Sequence, residues 1–329
     1  MICHNCETSI SDKRTIRICG TCGKPLHKFC VINEGGVAYC DVCYTVKEEG
    51  KHINETIVIP DVIRRSYIQT WKDCPYKFYM EVIKGMESEH IIYTQLGVDI
   101  HKLVDKLCQD NTYTKEMMIR DFMFMWDSYD EKGLFESTEQ KEKMYERAIN
   151  SIDNAYRLIP EMPATCSSEE NIIFGVGEGL PKISATIDRI DEINGELEVT
   201  DWKTGRVMVG EKLSSDLQAP LYIYAVRDKY QQPVRKFTYH YLQDGKQRIY
   251  ERLHDDVYVC RVKKNEYFIN LTDAIRETKR IMGQIMKGNF NIPRDTKKMY
   301  YTCKTCHIRE NEACEGAEVQ GWKQYNTGG

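Results

Sequence analysis

The spacing of apolar positions changes along the chain. Residues 1–45 are poor in aliphatics and show no repeat that would bury a core of their own. A charged stretch, "KEEGKHINE", follows, and residues 46–60 read as a linker. "RRSYIQTWKDCPYKFYMEVIKG" reads as a helix interrupted near Pro75, because proline lacks an amide hydrogen and crowds the preceding turn. In "LGVDIHKLVDKLCQ" apolar residues recur at i, i+3, i+4 and i+7, the helical period. "STEQKEKMYERAINSIDNAYRLI" opens with a capping signal. The period then shortens to two. "NIIFGVG", "KISATIDRIDEI" and "LEVTDWK" read as strands, with Asn194-Gly195 as the hairpin turn between the last two. "EKLSSDLQAPLYIYAVRDKY" returns to helix. "VRKFTYHYLQ" and "QRIYERLH" form a hairpin around "DGK", and "LTDAIRETKRIMGQIMKG" is a final amphipathic helix. The order β-β-β-α-β-β between helices predicts an α/β fold, a mixed central sheet flanked by helices. Its helical part covers about residues 61–165, its sheet core 166–290 and an irregular tail 291–329.

At 329 residues the chain is long enough for more than one core. Charged residues make up 29% and the net charge is −4, so any nucleic-acid contact must come from local patches rather than a field of the whole protein. No apolar run has the length that spans a bilayer. The start, "MICHNCETSISDKR", lacks the basic, apolar, small-residue order of a secretory signal. The expectation is a soluble, intracellular, cytoplasmic protein without membrane contact.

Fourteen cysteines in a reducing compartment point to metal rather than disulfides. Cys3/Cys6, Cys19/Cys22, His27/Cys30 and Cys40/Cys43 are four x2-spaced pairs, eight ligands for two tetrahedral zinc ions. "CGKPLHKFC" and "AYCDVC" resemble a PHD-type or RING-variant finger over about 45 residues. That resemblance implies interleaved pairs: Cys3, Cys6, His27 and Cys30 on one zinc, Cys19, Cys22, Cys40 and Cys43 on the other. Ala38 stands where PHD fingers usually carry an aromatic, and no aromatic cage is evident, so a histone-reading role is not carried over. His4 is out of register and is expected to face solvent. Cys108, Cys166 and Cys260 are isolated and are expected to be ordinary buried thiols.

In "VTDWKTGR", Asp201 and Lys203 share one face of a strand and Trp202 takes the other. A surface ion pair would explain that spacing alone. Thirteen residues upstream, however, Asp188 lies on the preceding strand, where the hairpin brings it beside Asp201. Two adjacent carboxylates need a cation, and oxygen ligands suit Mg²⁺ or Mn²⁺. A nearby lysine can orient or deprotonate water, or offset charge in a transition state.

"TIDRID" followed by "DWKTG" resembles the catalytic core of the PD-(D/E)XK nucleases, in particular their RecB-like branch. "GVDIH" resembles the motif in which His101 would be an additional metal ligand. "QAPLYIY" resembles the Gln-and-Tyr motif, placing Gln218 and Tyr222 on one helical face to contact substrate or brace the Lys203 strand. "SYIQTWKDCPYKFY" resembles the opening motif. These matches follow the family's order across residues 62–320. One departure is Ala185, where glycine is common. The resemblance implies a restriction-endonuclease-like fold with Asp188, Asp201 and Lys203 as catalytic residues. Asp191 is expected to be solvated, and Glu169 or Glu170 is a candidate further ligand.

Cys74, with Cys303, Cys306 and Cys314 far downstream, resembles the iron–sulfur-bearing subset of that branch, the AddB subunit type and the CRISPR-adaptation nucleases. That implies a structural [4Fe–4S] cluster, with zinc as the alternative and His307 as a competing ligand. The reading that follows is a metal-dependent DNA nuclease, an exonuclease on ends or single strands, in replication, recombination or repair. The chain has no G-x-x-x-x-G-K-[ST] loop, so unwinding would fall to a helicase or recombination partner. The alternatives are an adaptor that uses the finger with the nuclease body as scaffold, or an end-trimming endonuclease within an integration complex.

Overall fold

The computed structural model describes residues 16–19, 24–27, 31–34, 37–40, 57–86, 92–162, 165–292, 303, 306–310 and 314. The chain divides into two units, Met1–Val58 and Ile59–Gly329. In the first, β1 (Ile16–Ile18) pairs antiparallel with β2 (Pro25–His27), and β3 (Ile32–Glu34) with β4 (Val37–Tyr39). Its buried cluster among the described residues is Cys19, Leu26 and Cys40, with Ile16 and Val31 packed against it. The Cys40 amide donates to Cys19 Sγ at 3.3 Å. A core this small supplies little of the stability that a folded unit needs. Cys3, Cys6, Cys22, Cys30, Cys43, His4, the His27 ring and the linker up to residue 56 lie outside the described residues.

The second unit begins with β5 (Val62–Arg64), which runs directly into α1 (Arg65–Asp73). Cys74 breaks the helix in an extended conformation, as a residue before proline must. Helix α2 (Pro75–Phe78) then leads into one wide π turn, Tyr79–Ile83. Three longer helices follow: α3 (Ile92–Gln109), α4 (Lys115–Glu131) and α5 (Thr138–Leu158). Thr114 caps α4 and Ser137 caps α5, each hydroxyl accepting from an amide of the first turn. Next come β6 (Thr165–Phe174), β7 (Lys182–Ile193) and β8 (Glu196–Lys203). Helices α6 (Lys212–Ser215) and α7 (Gln218–Tyr230) lead to β9 (Val234–Tyr241). Strands β10 (Lys246–His254), β11 (Val257–Val262) and β12 (Asn265–Asn270) precede α8 (Leu271–Met286) and the short α9 (His307–Glu310).

The eight strands form one mixed sheet in the order β12-β11-β10-β9-β8-β7, with β5 and β6 both on β7. β8 runs parallel to β9, and β5 to β7; the other pairs are antiparallel. Arg189 of β7 faces Ser168 of β6 on one side and Thr200 of β8 on the other; Ile183 faces Phe174 and Ile63. β5 and β8 therefore share one edge of β7 and leave a gap between them. One apolar cluster joins the sheet to α1, α7 and α8. The other packs α3, α4 and α5 around Trp202 and Leu242. The expected mixed sheet flanked by helices is the observed architecture. Among the described residues no helix is long and apolar enough to cross a membrane.

In the second unit three strands, β5, β11 and β12, exceed the sequence reading. β11 and β12 turn at Lys263, which takes φ 56 without the glycine or asparagine that marks such turns. The expected helix over "EKLSSDLQAPLYIYAVRDKY" is two, because Asp216 ends α6 in an extended conformation.

His240 of β9 is buried with its ring 5.3 Å from that of Trp202. Burial, then Lys236 and Arg189, lower its pKa to about 4. The native state keeps it neutral, while the unfolded chain takes up a proton below about pH 6.5. Stability from this group is therefore complete above that pH and is lost as pH falls towards 4, by about 3 kcal/mol. Urea denaturation of His240→Gln from pH 7.5 to 4.5 is expected to show a correspondingly shallower loss than the wild-type protein.

Candidate active site

The β7–β8 ladder ends at Arg189 opposite Thr200, so Asp188 and Asp201 are the first residues beyond it. β8 continues along β9, with Asp201, Trp202 and Lys203 opposite Tyr239, His240 and Tyr241. The Trp202 amide, released from β7, donates instead to Asp188 Oδ2 at 2.7 Å. Ile187 and Ile190, three apart, both enter the same core cluster, so the strict alternation of β7 breaks at Asp188 and Arg189. Both carboxylates are buried, Asp201 to 2% exposure.

Lys203 Nζ lies 2.6 Å from Asp201 Oδ2, donates to Gln218 Oε1 at 2.9 Å and sits 5.2 Å from the Tyr239 ring centre. The same Gln218 donates through Nε2 to Asp201 Oδ1. One amide thus holds both members of the D-x-K pair, at the first residue of α7. Asp216 places it there: its carboxylate accepts from the Gln218 amide at 3.2 Å and from the Tyr239 hydroxyl at 2.6 Å. Tyr222 is buried one turn on, with the Arg65 guanidinium 5.5 Å from its ring, and packs on Phe237. It also shares a side-chain hydrogen bond with Gln218. Burial, offset in part by Lys203 and reinforced by Asp188, pushes Asp201 up to about 6.

His101 enters from α3, its Nδ1 3.6 Å from Asp188 Oδ2 and 3.9 Å from Glu169 Oε1. Burial alone would lower its pKa, but the carboxylates of Asp188 and Glu169, with Asp201 behind them, raise it to about 10. Glu169 stands in β6 opposite Asp188 at φ 48, a left-handed conformation uncommon for a non-glycine residue and unusual inside a strand. One donor atom each of His101, Glu169 and Asp188 lies within 4.8 Å of the others. Glu170 is held elsewhere, by Lys229 and the Tyr230 hydroxyl, so of the two candidate carboxylates only Glu169 joins the cluster.

A model of the PD-(D/E)XK nuclease superfamily matches residues 65–311, which take in this whole cluster. The chain belongs to that superfamily. Its members cleave nucleic acid with divalent metal ions, and the sheet, its gap and its flanking helices agree with the restriction-endonuclease-like architecture. A solved structure titled "Crystal structure of SSO0001" is similar over 84% of this chain and 94% of that one, at 16% identity and a TM-score of 0.32. No curated protein matches the chain.

Cys74 caps α2, its Sγ accepting from the Lys77 amide at 3.4 Å. Burial raises its thiol pKa, the Lys77 and Tyr76 amides oppose this, and Cys306 and Cys314 add to it, so the early cysteine has two late ones close by. The Cys306 amide donates to the Cys303 carbonyl. His307 Nε2 lies 3.4 Å from Glu81 Oε1 on the π turn.

Two expectations need correction. Asp191 is not solvated: it is 1% exposed, and both its oxygens accept from Arg189 Nε at 2.9 Å. Arg189 has no water to turn to, which fixes Asp191 as its counter-ion. Cys166 is exposed rather than buried, at the start of β6 where the register with β7 slips by one residue. Cys260 is buried, and Cys108, half-buried, lies 3.5 Å from an Arg189 nitrogen.

Removing one partner of a buried ion pair strands the other. Asp191→Ala is expected to cost about 3–5 kcal/mol in chemical denaturation. Arg189→Met combined with Asp191→Leu is expected to recover most of that loss.

Proposed function

We propose that this chain is a Mg²⁺- or Mn²⁺-dependent deoxyribonuclease that hydrolyses phosphodiester bonds at DNA ends or in single strands. The observation that carries the proposal is the cluster of His101, Glu169 and Asp188 beside the Asp201–Lys203 pair, where two strands stop pairing. The donor set fits a hard divalent cation: oxygens dominate, with one imidazole. Asp201 Oδ2 is buried and receives no aligned hydrogen bond among the described residues, Lys203 being close but out of line. His101, Asp188 and Asp201 would hold the metal, and Glu169 is a further ligand. When bound, the ion lowers the pKa of a coordinated water and offsets charge on the phosphoryl group.

The chain's own residues do the rest. Lys203 presents its ammonium beside the carboxylates, where it orients the attacking water or offsets charge as the bond breaks. Gln218 fixes the Lys203 head against Asp201, and Asp216 fixes Gln218. The Trp202 amide keeps one Asp188 oxygen turned to the gap.

The proposal extends to the cysteines. Four thiolates at Cys74, Cys303, Cys306 and Cys314 would hold a [4Fe–4S] cluster with a structural role, the proximity of Cys74 to Cys306 and Cys314 being the supporting contact. Cys3, Cys6, His27 and Cys30, and Cys19, Cys22, Cys40 and Cys43, would hold two structural zinc ions. The amide-to-sulfur bond between Cys40 and Cys19 supports their sharing one ion. The activity would serve recombination or repair inside the cell, beside a helicase or recombination partner.

Digestion of end-labelled single- and double-stranded DNA, with each end blocked in turn, tests the reaction. Asp201→Ala and Lys203→Ala are each expected to lower cleavage at least about a hundredfold while retaining DNA binding. Wild-type rates in either purified variant would refute the assignment.

Anaerobically prepared protein is expected to absorb broadly near about 400 nm. Cys74→Ser is expected to bleach that band and cost about 4–5 kcal/mol, the loop-closure worth of a crosslink spanning most of the domain. Three zinc ions and no iron on metal analysis would decide for zinc instead.

A further inference from the structure

One aromatic outside the metal cluster is tied to it. Tyr93, near the start of α3, is 48% exposed. The Arg147 guanidinium of α5 lies 5.5 Å from its ring centre. A nitrogen of the same guanidinium donates to the Thr204 carbonyl at 2.9 Å. Thr204 is the residue that follows Lys203. A single side chain thus bridges an open aromatic ring and the backbone next to the D-x-K pair.

The helix is held close at that point. Gly97, one turn beyond Tyr93, faces Thr204, and a Cβ there would stand 3.2 Å from the threonine hydroxyl. One more turn along α3 brings His101. Tyr93, Gly97 and His101 therefore follow one side of the helix, about 12 Å end to end. Single exposed aromatics are ordinary on protein surfaces. Phe124 of α4, 84% exposed, is such a case. What separates Tyr93 is the guanidinium that fixes it to the residue after Lys203.

Stacking of bases on aromatic faces, supported by arginine, is how proteins grip unpaired strands without reading sequence. A paired base has no free face to offer. Arg206, exposed two residues after Thr204, adds positive charge on the same loop. We infer that Tyr93, held by Arg147 against Thr204, is a stacking platform for one unpaired nucleobase of a DNA strand whose phosphate lies at the carboxylate cluster. The inference rests on the proposed nuclease reading and narrows its substrate to single-stranded DNA or a frayed end.

The test is steady-state cleavage, with Mg²⁺, of a series of short single-stranded oligodeoxynucleotides, each carrying one abasic nucleotide at a different position, followed through the first cut. For the wild-type protein, one abasic position is expected to raise KM about tenfold with kcat unchanged. Tyr93→Ala is expected to raise KM for the intact strand about tenfold and to flatten the positional scan, and Tyr93→Trp to restore both. The exposed position makes folding of these variants straightforward to confirm by circular dichroism. A flat scan in the wild-type protein, or a Tyr93→Ala variant that keeps the full positional penalty, overturns the platform and leaves the nuclease reading standing. Absence of any cleavage by the wild-type protein overturns both.

Discussion

Two carboxylates are buried where a strand pair ends, and the cost of keeping charge out of water sets the terms for the groups around them. Asp188 and Asp201 lie where β7 and β8 stop pairing, and Glu169 brings a third carboxylate from β6. Like charges out of water are tolerated only with compensation. Lys203 supplies one positive charge and His101 is driven to carry another, its pKa lifted to about 10. A metal ligand must give up that proton, so a divalent ion bound here would take its place against the carboxylates. Polar groups from separate elements also converge here: the Trp202 amide and the Gln218 side chain on the carboxylates and, behind Gln218, Asp216 and Tyr239.

The gap itself is a consequence of topology. β5 and β8 share one edge of β7 without meeting, so the edge between them has no strand to pair with. Parallel pairing of β8 with β9 carries the D-x-K pair past the end of the β7 ladder. The crossover between those two strands delivers the first residue of α7 to the same end. A carboxylate and an ammonium two residues apart would be a weak surface pair on an ordinary strand. Here both are anchored by one glutamine, and the carboxylate is buried.

Much of this was legible from spacing. Asp201 and Lys203 follow from a period of two. Asp188 follows from the Asn194-Gly195 turn, whose positive φ angles of 54 and 78 set the register that aligns it with Asp201. Gln218 and Tyr222 come from the resemblance to the Gln-and-Tyr motif, with helical spacing adding that they share a face; only the structure shows Gln218 bridging Asp201 and Lys203 while Tyr222 packs on Phe237. Glu169 was one of two adjacent candidates, because the choice depends on a left-handed residue inside a strand, which no propensity announces. Asp191 was misjudged as solvated; the signal available was Arg189 two residues before it, on the same face of the strand. β11 and β12 were missed because their turn at Lys263 lacks the residues that normally mark one.

The direct measure of the central claim is divalent-cation binding without catalysis. Mn²⁺ can be titrated into the purified protein and followed by electron paramagnetic resonance, for the wild-type chain and for Asp188→Asn, which keeps the shape and removes the charge. The account predicts saturable Mn²⁺ binding, displaced by Mg²⁺, and at least about tenfold weaker in the variant. Equal Mn²⁺ affinity in the two proteins, or none in either, would contradict it.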